Sequence, residues 1–298
     1  AVKSYEQALA IKPDYAEAWG NVFFIAKALD LSSTQNTWLD SYKKNLGAAV
    51  LNSIHFKILE YRLNAFTPHT VDDFFNDAIN ALPLKTTEDI QNPSPIHKNK
   101  KPVLISDNMI ALIHFGRSGT GLLHSLIDNH PEMSTLPSIY FSEYFNAEVW
   151  GRLIAQGWGQ LPENFIKQFA VLFDARSSVP IPSIDKPIAH LGQKEGMANV
   201  GVNRNEVLTV DQNRFCAELQ KLMADYSSLT PQTFFTLVHS AYEKALNKSS
   251  NKQMIFYHIH NPSDYAKLNF LRYNPEAKLL MMVREPVQSC ESWVKKVI

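Results

Sequence analysis

Ile110-Ala111-Leu112-Ile113-His114-Phe115-Gly116-Arg117-Ser118-Gly119-Thr120-Gly121-Leu122-Leu123-His124-Ser125-Leu126 changes character twice within a short span. An apolar run of strand length meets a tight Gly/Ser/Thr loop, and the loop opens into a pattern with Leu122, Leu123, Leu126 and Ile127 on one side of a helix. A strand, a glycine turn and a helix N-terminus together make a cradle for an anion. Backbone N–H groups point into such a loop, and the helix dipole adds positive potential. The sequence therefore predicts an α/β fold: a P-loop-like parallel sheet flanked by helices, with a phosphorylated ligand at this turn.

The loop is not that of a nucleoside triphosphatase. Gly116 and Gly121 have the Gly-x4-Gly spacing, but Leu122 and Leu123 stand where Lys and a magnesium-binding hydroxyl belong. A nucleotide phosphotransferase is thereby disfavoured. The cation lies inside the loop instead, at Arg117. A strand–turn–helix corner with no ligand is the plain alternative.

A second segment extends the pattern. Ala277 to Val283 reads as a buried strand, and it runs into Arg284-Glu285-Pro286, after which the chain is helical in character. Arg284 stands at the strand end and Ser292 lies eight residues on. Both can face the C-terminal edge of a parallel sheet, where open α/β folds bind ligands.

Together the two segments resemble the sulfotransferase family, in its tyrosylprotein and bacterial form. That family uses 3′-phosphoadenosine 5′-phosphosulfate (PAPS) as donor. Gly116-Arg117-Ser118-Gly119-Thr120 is similar to the family's 5′-phosphosulfate loop. His130-Pro131 matches the end of the helix that follows, and Val283-Arg284-Glu285-Pro286 with Ser292 is similar to the 3′-phosphate motif. The resemblance covers roughly residues 103–298. It implies that Gly116, Arg117, Ser118, Gly119, Thr120, Gly121, Arg284 and Ser292 bind PAPS, with no metal. It also implies in-line transfer of a sulfuryl group to a hydroxyl or amine of an acceptor, with Arg117 neutralising charge on the leaving phosphate.

This chain departs from the family at three places. Gly121 replaces a usual Thr or Ser. His260, in His260-Asn261-Pro262, takes the place of a Lys. The usual position of the catalytic Glu is Ser138, and the nearest acid is Glu143. On this reading His260 donates to the bridging oxygen and Glu143 removes the acceptor proton. The alternatives are a strand-end histidine that holds the turn before Pro262, and a solvated surface acid. His114 and His124 are read as structural.

The N-terminal residues follow another rule. Ala1, Tyr5, Ala8 and Pro13 have the spacing of the second half of a tetratricopeptide (TPR) repeat, and 14–22 resembles the first helix of the next, with Trp19 at its aromatic place. This predicts a helical region over 1–85 with one and a half to two TPR-like repeats, including helices at 40–63 and 70–82. A polar linker follows at 86–101, and the nucleotide-binding domain occupies 102–298. Such repeats imply a protein or peptide partner, and a noncatalytic TPR-containing binding protein is the rival reading. The abrupt ends suggest a fragment truncated at both sides.

Further along, helices are expected over 143–157 and 163–173, from Asp211 to about 225, and from Thr230-Pro231 to about 247. The stretch 177–205 is irregular, either an acceptor-binding lid or merely an insertion. Strand 254–259, helix 263–273 and strand 278–283 complete a β-α-β unit. The 298 residues carry 29 basic and 29 acidic side chains, so broad attraction to nucleic acid is not expected. No apolar run is long enough to span a bilayer. Two cysteines, Cys216 and Cys290, make no disulfide framework, which favours a reducing, cytoplasmic setting.

Overall fold

The computed structural model describes residues 2–11, 44, 89–93, 108–114, 118–137, 140–177, 197–247, 252–260 and 264–297. The chain divides into two compact units, Ala1–Leu84 and Lys85–Ile298.

In the first unit helix α1 spans Val2–Ile11. Among the helix residues whose burial is described, Tyr5 and Ala8, three apart, are half-buried, whereas Ser4, Gln7, Ala10 and Ile11 are exposed. That is the one-sided burial expected of an amphipathic helix. Of the helix expected at 40–63 only Lys44 is described, and it is helical and exposed; the remaining repeat residues and the helix expected at 70–82 lie outside the described residues.

The second unit is α/β. Its main sheet holds β2 (Met109–His114), β3 (Met133–Ser134), β5 (Met254–Ile259) and β6 (Lys278–Met282), in the order β3-β5-β2-β6. All three pairings are parallel. The strands expected at 254–259 and 278–283 are present, but β2 inserts between them. A separate antiparallel pair joins β1 (Ile90–Gln91) to β4 (Ser228–Leu229). β1 falls inside the stretch read from sequence as a linker, and Ile90 is buried.

The helices are α2 (Thr120–Ile127), α3 (Ala147–Ile154), α4 (Leu161–Gln168), α5 (Gln212–Met223), α6 (Pro231–Ala245), α7 (Asp264–Tyr273) and α8 (Pro286–Val297). Local chemistry sets several starts. The Asp211 carboxylate accepts from the Arg214 N–H at the head of α5, and the Thr230 hydroxyl accepts from the Thr233 N–H, with Pro231 next in line. The helix expected over 143–157 begins four residues later, because Asn146 is its N-cap and accepts from the Glu148 N–H. The one expected over 163–173 ends at Gln168, and 170–172 is a short 3₁₀ turn.

The period-two alternation of β5 separates its two faces. Ile255, Tyr257 and Ile259 enter the main core with Ala111 and Ile113 of β2. That core is dominated by aromatic side chains. Phe141 alone meets Tyr144, Phe165, Phe169, Phe235 and Tyr257 at centroid distances of 5.1, 5.7, 5.2, 5.2 and 5.9 Å. These spacings are within the attractive range for aromatic pairs. The buried phenols of Tyr144, Tyr242 and Tyr257 each donate to a backbone carbonyl, of Pro231, Leu172 and Phe141 respectively. Burial pushes all three phenols above their usual pKa.

On this face Phe270 of α7 packs against Tyr257. On the other face the His124 ring of α2 packs edge-on to Phe256. The sheet is therefore covered by helices on both sides. β6 is the exception and corrects the reading of 277–283 as a buried strand: it lies at the sheet edge, Leu279, Leu280 and Met281 are 52%, 40% and 55% exposed, and both of its faces meet solvent.

Candidate functional site

The parallel register brings three strand ends to one edge. Ile113 of β2 pairs with Ile259 of β5, and His114 pairs with Met282 of β6. His260, the C-terminal end of β2, and Arg284 therefore lie at the same edge of the sheet, with the end of β2 between the other two.

Gly116 and Arg117 lie outside the described residues. Ser118 is buried, and its Oγ has no hydrogen-bond partner. Gly119 is the N-cap of α2 with φ 91° and ψ 9°, a left-handed conformation that costs side-chain-bearing residues energy. A Cβ there would lie 3.8 Å from Cε of Met282, so the turn rests over the end of β6. Having no side chain, Gly119 supplies no cap to the first amides of α2. The Leu123 N–H bonds back to the Gly119 carbonyl, while the N–H groups before it belong to the turn in which a helix has no internal acceptors. Thr120 is buried and Gly121 is exposed. An orphaned buried hydroxyl beside uncapped amides is a fit for a tetrahedral anion.

Arg284 is exposed, and its Nε donates to Oε1 of Gln288 at 3.4 Å. Gln288 and the half-buried Ser292 are one turn apart on α8, so the three residues follow one stripe. The Glu285 carboxylate accepts from the Gln288 N–H at 3.1 Å. It thus occupies the amide end of α8, which leaves Arg284 rather than the helix terminus to meet an anion there.

Ser142 ties the remaining candidates together. Its Oγ accepts from the His260 N–H at 2.8 Å and donates to the His258 carbonyl at 3.5 Å. This clamp sets the 141–146 turn against the end of β5 and brings Glu143 to the edge that carries His260. Oε2 of Glu143 accepts from Nδ2 of Asn146 at 3.2 Å.

Two histidines escaped the sequence reading in this role. Nδ1 of His124 lies 3.3 Å from Nδ1 of His258, and the ring of His258 is 5.8 Å from that of His260. The period-two spacing of Phe256, His258 and His260 was a visible signal, but their partner is 134 residues away. Burial pushes the His124 pKa below its ordinary value, partly offset by Asp128 and the Leu136 carbonyl.

Among the described residues no group of three or more His, Cys, Asp or Glu could hold a metal ion. None of their helices is long and apolar enough to cross a membrane. Comparison with protein-family models, curated proteins and solved structures found no match for this chain.

Proposed function

We propose that this chain carries the nucleotide site of a PAPS-dependent sulfotransferase. The observation that supports the reading best is the buried, unpartnered Ser118 Oγ beside left-handed Gly119, at an uncapped helix start and in register with the strand that delivers Arg284. PAPS has phosphate at both ends of one nucleoside, and two anion-holding positions on neighbouring strand ends match that shape.

Bound PAPS supplies an activated sulfuryl group, which an acceptor oxygen or nitrogen attacks in line. On this reading Ser118, Arg117 and the amides at 119–121 hold the 5′ end. Arg284 and Ser292 hold the 3′-phosphate. His260, on the strand beside the loop, donates a proton toward the departing oxygen. Glu143 accepts the acceptor's proton, and its contact with Asn146 engages one of its two oxygens. The TPR-like residues would recruit a protein or peptide.

That same Glu143–Asn146 contact favours a second reading, a binding protein with a degenerate nucleotide site, because it gives Glu143 a structural task at the start of α3. One pair of measurements separates the two. Calorimetry with adenosine 3′,5′-bisphosphate should show binding that Arg117→Ala and Arg284→Ala each weaken about tenfold or more, as loss of a charged hydrogen bond of about 1.5–3 kcal/mol requires. Incubation with PAPS and candidate acceptors should add the mass of one sulfuryl group. Binding without transfer supports the binding protein, and equal affinity in all three proteins removes the site assignment.

A further inference from the structure

His124 is placed to feel whatever the loop binds. It lies one turn beyond Thr120 on the same face of α2, about 6 Å along the helix axis. Its Nδ1 meets Nδ1 of His258 at 3.3 Å, with the rings 5.5 Å apart and tilted by 53°. Two neutral imidazoles can share that contact only if one nitrogen donates and the other accepts, so a single hydrogen lies between them. One more proton fits without breaking the bond. It leaves one ring charged on both nitrogens as the donor, and the contact becomes a charge-assisted N–H···N bond. A further proton would set two donors face to face.

We propose that the His124–His258 pair is a positioning element of the anion site, and that it takes up one proton from solvent when a tetrahedral dianion enters the loop. The inference rests on the anion-site half of the reading above, and it names a property that reading lacks: proton-coupled binding. The groups facing the pair agree with it. Asp128 stands one turn on along α2. β5 supplies His258, and His260 is the next ring on that strand. The segment after β3 supplies the Leu136 carbonyl. The acid and the carbonyl favour a charged His124, and burial opposes it. In the absence of an anion, burial wins. A dianion one turn away adds a negative potential that reverses the balance.

The sign follows. If the anion raises the proton affinity of the pair, binding takes up protons, so affinity rises as pH falls through the window between the two pKa values. Uptake of one proton corresponds to at most about a tenfold gain per pH unit. Sulfate is the suitable probe, because it stays fully ionised across the histidine range and contributes no titration of its own.

The experiment is calorimetry of sulfate binding to the whole chain between about pH 5.5 and 8, in two buffers of different ionisation heat, which counts protons directly. Up to one proton taken up per sulfate is expected for the wild type. His124→Asn and His258→Asn keep a hydrogen-bonding group near Nδ1 but cannot charge. Both should still bind sulfate, with little or no proton uptake. Sulfate binding without proton uptake in the wild type overturns the inference, as does uptake that survives both asparagine variants or no sulfate binding at any pH. Should sulfate bind with uptake while adenosine 3′,5′-bisphosphate does not bind, the pair stands and the sulfotransferase reading falls.

Discussion

His239 offers a sharp test of how this interior is wired. Its Nδ1 lies 2.9 Å from the Ser134 Oγ, and that hydroxyl donates to Oε1 of Glu243, also at 2.9 Å. The hydroxyl has one hydrogen and gives it to the carboxylate, so it accepts from His239. Nδ1 therefore carries the ring hydrogen, and the basic nitrogen is Nε2, which is buried with no partner. Burial pushes the pKa from its ordinary 6.5 down to about 3. An unfolded chain takes up this proton near pH 6.5, and the native chain does not until about pH 3. Between those values the unfolded state holds more protons, so stability falls as pH falls. The loss from this one side chain is about 2 kcal/mol on going from pH 7 to 5, at 1.36 kcal/mol per pKa unit. His239→Asn keeps a donor near the Nδ1 position and removes the titration. Urea unfolding of both proteins at the two pH values isolates the effect, because other groups cancel to first order. The variant should lose about 2 kcal/mol less than the wild type between pH 7 and 5. Parallel losses, equal to within about 0.5 kcal/mol, would refute the argument.

Three more outcomes are expected. Lys252 donates to the carbonyls of His130 and Met133 and faces Glu243 Oε2 at 3.9 Å, all in the interior, so Lys252→Met should cost about 3–5 kcal/mol in urea unfolding. Adding Glu243→Gln should restore a large part of that loss, and no restoration would show that the carboxylate is not what Lys252 compensates. Gly119→Ala must place a Cβ at φ 91° and should lower stability by about 1–2 kcal/mol, read as a shift in the urea midpoint. Gly121→Ser meets nothing within 4 Å, so it should fold normally and gain about 0.5 kcal/mol in helix propensity. It should also bind sulfate more tightly by adding a hydroxyl to the first turn of α2, which calorimetry would show.

What could be read from the chain was local. The apolar run before Gly116 and the leucine pattern after Gly121 carry β2 and α2 within one short window, although of that pattern only Leu123 and Ile127 are half-buried and Leu122 and Leu126 are exposed. Asp211 and Thr230-Pro231 announce their helices by capping chemistry alone. Asn146 carried the same kind of signal, with Glu148 two residues on, and reading it would have placed the start of α3 correctly. The failures are long-range. β3 is two residues long, too short for any periodicity, and exists because β5 offers it an edge. Nothing in Ser134, His239, Glu243 and Lys252 taken singly marks them as one buried network, since they meet only after the sheet and α6 have packed. The His124–His258 contact is of the same kind. For the site, residue types at the loop were legible, whereas the clamp of Ser142 onto β5, which delivers Glu143, was not.

The insertion of β2 between β5 and β6 has a consequence for how the molecule is made. The strand that launches the loop gains its first neighbour only when β5 has been made, and its second only when the chain has been synthesised through Met282. Until then one of its edges stays open, and the turn at Gly119 has no Met282 to rest on. Pairings of such sequence separation are slow to close. On the ribosome, competence to hold an anion would thus arrive in the last moments of folding rather than accumulate along the way. Any interruption upstream of β6 leaves the motif written in the sequence but not assembled in space.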